Sequence, residues 1–204
     1  MVTVSLIIAC VVFSLTAFNN SEIFFRFLFS PYACFHRKQY YRIFTHAFLH
    51  GDYMHLAFNM FALYIFGPIL EDEAFPALFG HKSAFYYILL YLGGIIASSL
   101  FELFRQKDNP NYSSVGASGA VNAIVFSAIL IHPTMGMGLM FLPIFIPAWL
   151  FGILFLTYSW YMAKRGMDNV GHTAHFFGAV FGFLFTLALK PELFGYFISQ
   201  VFGK

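Results

Sequence analysis

The sequence predicts an all-α protein that crosses a lipid bilayer several times, and three observations carry that expectation. Of its 204 residues, 60% are hydrophobic and only 10% charged, where a soluble domain carries about 25%. So few charges cannot solvate the surface of a chain this size; lipid can. Thirty Phe and twelve Tyr deepen the bias. The apolar residues also gather into six stretches of roughly 16 to 22 residues, close to the length that one helical span requires.

In chain order the expected spans are Val2–Phe18, His55–Leu70, Ser83–Phe104, Val115–His132, Phe141–Met162 and Ala174–Leu189. The first has neither a basic leader nor a small-residue cleavage site, so it reads as a helix that stays rather than a signal peptide. Segment 19–50 interleaves Phe24, Phe25, Phe27, Phe29, Tyr32, Phe35, Tyr40, Tyr41 and Phe44 with Arg26, Arg37, Lys38 and Arg42. Rings mixed with cationic tips favour the headgroup zone, which predicts a first loop half-sunk into one leaflet. After the sixth span, Leu193 to Phe202 is apolar but too short to cross, and is expected to lie along the interface. No long linker or low-complexity tract divides residues 1–204, so one domain is expected. A net charge of +2 without a Lys/Arg run argues against nucleic acid. The two cysteines, Cys10 and Cys34, imply no disulfide framework. The Lys and Arg distribution turns the loops after the odd-numbered spans toward the cytoplasm.

Polar side chains within apolar helices are expensive and need a reason. Three groups stand out. In Thr45-His-Ala-Phe-Leu-His-Gly-Asp-Tyr-Met-His-Leu-Ala-Phe-Asn59, His55 and Asn59 are four apart and share one helix face. Both can donate hydrogen bonds toward one point. Asp52 precedes that helix as its expected cap. Gly116-Ala-Ser118-Gly-Ala-Val-Asn122 opens the fourth span. Ser118 falls in the first turn, where free N–H groups and the helix dipole favour developing negative charge, and Asn122 lies one turn deeper on the same face. The third group is His172-Thr-Ala-His175-Phe-Phe-Gly178-Ala-Val-Phe-Gly182. Its two glycines form a small-xxx-small pair that permits close helix approach in lipid. A helix carrying Gly116, Gly119 and Ala120 can pack there, bringing the Ser118 hydroxyl within reach of the His175 ring as a nucleophile and base require.

Taken together, Arg42, His46, His50, His55, Asn59, Gly67 and Glu71, then Gly116-x-Ser118-Gly119, then Ala174-His175-x-x-Gly178-x-x-x-Gly182 closely resemble the rhomboid intramembrane serine proteases. The match spans about residues 42–182 and resembles the compact six-helix bacterial form. The resemblance implies a rhomboid-like bundle in the bacterial inner membrane, cutting transmembrane protein substrates without cofactor or metal. It implies Ser118 as nucleophile and His175 as general base. The Ser118 N–H with the His55 and Asn59 side chains would form an oxyanion hole. It also implies a site open to the extracytoplasmic side, against the charge distribution. Glu71, about 18 Å along the helix from Asn59, is expected to be structural. Two positions depart from the pattern. Many relatives carry Trp where Tyr41 stands, and an aromatic ring under the catalytic histidine where Asn122 stands; the amide of Asn122 either orients His175 or binds a cavity water or bridges helices.

Two rival readings remain open in the sequence. His46-x-x-x-His50 with His172-x-x-His175 resembles the histidine boxes of membrane desaturases, since imidazole suits iron, although the adjacent histidine pairs of such boxes are missing. The other rival is an inactive relative that binds membrane clients. In the fifth span, Pro143, Pro147, Trp149 and Phe151 suggest a lateral gate weakened by proline, and loop 164–171, with two glycines, a lid.

Overall fold

The computed structural model describes residues 1–138, 145–166 and 171–203. It is a bundle of helices. α1 (Val2–Phe18) takes the bounds read from the sequence. The Glu71 carboxylate accepts the Val2 N–H and, at 2.8 Å, the Thr3 N–H, so a distant side chain satisfies donors that α1 cannot. That is the structural part expected of Glu71. The Thr3 hydroxyl pairs with the Tyr87 hydroxyl at 2.7 Å beside Gly67, where a Cβ would crowd both.

Segment 19–50 is more ordered than a half-sunk loop. It folds into α2 (Ser21–Phe27), α3 (Pro31–Arg37), α4 (Arg42–Thr45) and a 3₁₀ turn at His46–Phe48. The Asn20 and Ser30 side chains cap α2 and α3. Buried Arg42 knits the lobe together, donating to the Phe25 carbonyl (2.9 Å), the Leu28 carbonyl (2.8 Å) and Gln39 Oε1 (2.7 Å). Phe25, Tyr40, Tyr41 and Phe44 face outward, a surface suited to the membrane interface.

α5 (Tyr53–Pro68) begins at Asp52, whose Oδ1 accepts the His55 N–H at 2.7 Å, the cap expected from sequence. It continues into a π-helical turn (Ile69–Ala74) and α6 (Phe75–Phe79). The chain then reverses at Gly80, whose φ of 56° suits glycine, and enters α7 (Ser83–Arg105). An extended stretch leads to α8 (Ser118–Ile131). After it, β1 (Gly136–Gly138) and β2 (Phe145–Pro147) pair antiparallel. α9 (Ala148–Arg165), α10 (His172–Leu189) and α11 (Glu192–Phe202) complete the chain.

The fifth element differs from expectation. α9 starts at Ala148, and Pro147 ends β2 ahead of it. Its ring therefore interrupts no helical hydrogen bond, and the proline-weakened helix is corrected to one without proline. Pro143 lies outside the described residues. In the expected lid, Lys164 and Arg165 form the last turn of α9 and Gly166 closes it at φ 58°; residues 167–170 lie outside the described residues. The helical stretch 53–105 and α10 are long and apolar enough to cross a membrane, while α1 and α8 are shorter apolar helices. Ile8, Val12, Phe61, Tyr64, Phe85, Ile153 and Leu154 point outward. Such an apolar exterior suits lipid and not water.

α8 is the centre of the bundle. Every residue in it is buried except Ser118 and Asn122. It runs parallel to α10 along a seam of small residues four apart. A Cβ on Gly178 would overlap the Gly119 carbonyl, and one on Gly182 the Ala123 backbone. One turn further, the Ser127 and Thr186 hydroxyls meet at 2.7 Å. On the other side, a Cβ on Gly94 of α7 would lie 2.9 Å from Ala120 Cα. The expected partners of the Gly178/Gly182 pair are thus revised: Gly119 stays, Ala123 joins it, and Ala120 turns toward α7. In lipid no hydrophobic gain drives helices together, so such backbone contact supplies the dispersion energy that does.

Gly182→Val should therefore cost more than Ser127→Ala. Overpacking costs about 1–3 kcal/mol or more where backbone stands in the way; an interhelical hydrogen bond in a membrane averages about 0.6 kcal/mol. Denaturant titration of the detergent-solubilised protein should rank the two in that order.

Candidate active site

The stretch leading into α8 is held from the lobe side at three points. Phe29 and Ser114 exchange backbone hydrogen bonds at 2.9 and 3.1 Å. The Gly116 N–H donates to the His46 carbonyl at 3.0 Å. The Ala117 N–H donates to His50 Nε2 at 3.5 Å. Fully buried His50 uses its other nitrogen as well: Nδ1 meets the Ser14 hydroxyl at 2.9 Å, which itself donates to the Phe48 carbonyl at 3.0 Å. The roles close consistently. Nδ1–H donates to Ser14, and Nε2 accepts from the backbone just ahead of Ser118.

Gly116 is glycine for two reasons. Its φ is 127°, which side chains rarely adopt. A Cβ there would also lie 2.7 Å from Cε1 and 2.9 Å from Nε2 of His55, and 3.7 Å from the Ser118 hydroxyl oxygen. His55 Nε2 and Ser118 Oγ thus flank one small gap beside Gly116 Cα. The Gly51 N–H donates to His55 Nδ1 at 3.4 Å, which fixes the tautomer and leaves a proton on Nε2. The ring thereby offers a donor where Ser118 is. Asn59, one turn along α5 and buried, donates one amide hydrogen to the His55 carbonyl at 2.9 Å and keeps the other.

Ser118 is the first residue of α8, so its N–H and those of Gly119 and Ala120 have no acceptor within their own helix. α10 arrives at the same level. A Cβ on Gly119 would lie 3.6 Å from the Ala174 carbonyl, next in the chain to His175. Ser118 and His175 therefore stand near the starts of two touching parallel helices. The His175 ring lies against Phe155 of α9, with centroids 6.3 Å apart and planes 29° apart, and meets His172 edge-on at 6.0 Å. Asn122 shares the accessible face of α8 with Ser118.

The histidine-box alternative finds two of its four histidines bonded to other groups through at least one ring nitrogen. His46 Nε2 bonds the Ser99 hydroxyl at 2.9 Å, and both His50 nitrogens are used. Among the described residues no three His, Cys, Asp or Glu side chains gather as a metal site.

Comparison with known proteins decides the family, because the rhomboid domain family model matches residues 37–192. This chain belongs to the rhomboid family. Rhomboids are integral membrane proteins and generally intramembrane serine proteases, acting on transmembrane proteins. The chain is 31% identical over 151 residues to RHOMBOID-like protein 12, mitochondrial, of Arabidopsis thaliana, covering 66% of this rhomboid and 42% of the relative. It is 28% identical over 203 residues to Rhomboid-like protein 15 of the same plant, covering 92% and 46%. It spans less than half the length of these curated relatives. Both come from a plant and one is named mitochondrial, so they lend no support to a bacterial inner membrane.

The sequence pointed to the serine, the histidines and the glycines, but it missed Ser14. A serine in the first helix carries no sign that it will meet His50 across the bundle. His50 and His55 should separate in experiment. His50→Ala leaves the Ala117 N–H without its acceptor and takes from the Ser14 hydroxyl one of its two partners, at about 1–3 kcal/mol for a stranded buried group. Thermal unfolding should show a clear loss for His50→Ala and little for half-exposed His55→Ala.

Proposed function

We propose that this rhomboid is an active intramembrane serine endopeptidase, cleaving transmembrane or membrane-proximal segments of membrane proteins with Ser118 as nucleophile and His175 as base. One observation carries the reading: Ser118 is the partly accessible first residue of a helix buried but for Ser118 and Asn122, across a glycine from a histidine N–H. In that reaction His175 takes the Ser118 proton as Oγ attacks the scissile carbonyl carbon. Charge on the carbonyl oxygen is met by the Ser118 N–H, His55 Nε2–H and the spare Asn59 amide hydrogen. The protonated His175 hands its proton to the leaving amine, and an acyl-enzyme ester remains on Ser118. Water then attacks the ester, giving a proton to the same ring; as the ester C–O bond breaks, His175 returns that proton to Ser118 Oγ and the acid product is freed.

The same reading takes α1, α5, α7, α8, α9 and α10 as six spans of one domain. The site opens to the extracytoplasmic side of a plasma membrane. Labelling of a single cysteine introduced at the exposed Asp52, in sealed vesicles of known sidedness, tests that orientation. Asn122 lines the cavity below Ser118 and supports His175 from there.

Ser118→Ala and His175→Ala should each abolish cleavage of a transmembrane substrate while the protein stays folded. The double variant should lose little more, because residues acting as one unit are non-additive. A fluorophosphonate should label Ser118, and strong chelators should leave turnover intact. Persistent turnover by Ser118→Ala would overturn the assignment. Client binding with no Ser118-dependent turnover would favour the client-binder reading.

For the oxyanion donors, Asn59→Ala and His55→Ala should lower kcat by about 10²–10³. Steady-state kinetics should show KM moving far less than kcat. A change confined to KM would mean that these side chains position substrate instead.

A further inference from the structure

The face of α8 that carries Ser118 and Asn122 continues one turn on to Phe126, since the three are four residues apart. The buried Phe126 ring touches Phe155 of α9, with centroids 5.7 Å apart. Phe155 is further braced by Phe151, one turn back on its own helix, at 5.8 Å and 24°. Its ring in turn lies nearly parallel to His175 at 6.3 Å, within the 4.5–7 Å range of offset aromatic pairs. His172 also touches the His175 ring, but it belongs to the same helix and moves with it. Phe155 comes from another helix. It can therefore fix the imidazole relative to the rest of the molecule.

From this arrangement we infer that Phe155 is a positioning residue for the proposed reaction, seating the His175 ring from α9 so that docking of α9 on Phe126 helps to aim the base. The inference rests on His175 acting as base. Asn122 supplies no ring on this face, and the Phe126–Phe155 pair supplies one from a turn below. α9 also has an outward face, with Ile153, Leu154 and Tyr158 exposed. Any displacement of α9 that separates Phe155 from Phe126 withdraws the seat from His175 in the same movement. The position of this helix and the readiness of the base are thereby linked.

The test is steady-state cleavage by Phe155→Leu and Phe155→Tyr, with Phe151→Leu as a control that also alters α9 packing. Phe155→Leu should lower kcat by about threefold to tenfold, the range of an aromatic pair's coupling, with KM within about twofold. Phe155→Tyr, which keeps the ring, should retain most of the wild-type kcat. Phe155→Leu turnover equal to wild type, an equal loss in Phe155→Tyr, or an equal loss in the Phe151→Leu control would overturn the inference. So would a loss wholly in KM. Imidazole resonances of ¹⁵N-histidine-labelled protein give a second readout that does not need turnover. The His175 signals should broaden or split in Phe155→Leu and stay single in Phe155→Tyr. If those signals behave as expected but Ser118-dependent cleavage is absent, the reaction assigned to the site fails while the seating stands. Unchanged signals in Phe155→Leu would remove the seating itself.

Discussion

The backbone contact between α8 and α10 is the constraint on which the rest of the molecule depends. Gly119 against Gly178 and Ala123 against Gly182 leave no room for another carbon. In lipid this close contact, with the Ser127–Thr186 hydrogen bond beside it, holds α8 in the middle of the bundle, because apolar side chains gain nothing there by leaving the solvent. Once the seam is closed, Ser118 and His175 have fixed levels on neighbouring helices. α7 closes the other side through Gly94. The lobe then sets the entry angle of α8 through the hydrogen bonds at Ser114, Gly116 and Ala117.

The division of labour among the histidines follows from burial. His46 and His50 spend ring nitrogens on Ser99, Ser14 and the Ala117 backbone and behave as structural groups. His55 is half-exposed and holds a proton on the nitrogen that faces Ser118. Residues of one type, within ten positions of one another, thus differ in surroundings because one is partly exposed beside Ser118 and the others bridge elements. A polar group at that depth is tolerated where protein partners or a hydrated cavity meet its hydrogen bonds.

Much of this was legible in the sequence because lipid makes chemistry conspicuous. Against an apolar background, Ser118, Asn59 and the histidines stood out, and the glycine spacing told which helix faces could touch. α1 was read to its terminal residues, and the Asp52 cap and the structural part of Glu71 were also foreseen. What escaped were features fixed by distant partners. The hairpin of β1 and β2 is held by backbone pairing that leaves no periodic trace in three-residue strands, so Pro147 read as part of a helix. The lobe of α2 to α4 was hidden because its helices are only about one or two turns long, below the length at which an apolar stripe shows. Phe155 was one phenylalanine among thirty. Only the fold singles it out.

The length of α8 has a consequence of its own. Fourteen residues rise about 21 Å, against a hydrocarbon core of about 30 Å. Its neighbour α7, with 23 residues, rises about 35 Å. The shortfall lies inside the bundle and not at the lipid boundary, so the bilayer need not thin to meet it. On the proposed reading it is a recess fenced by taller helices, with the first turn of α8 as its floor. Helix length therefore works as a depth gauge: each added turn at the Ser118 end would lift that floor by about 5.4 Å toward the headgroups.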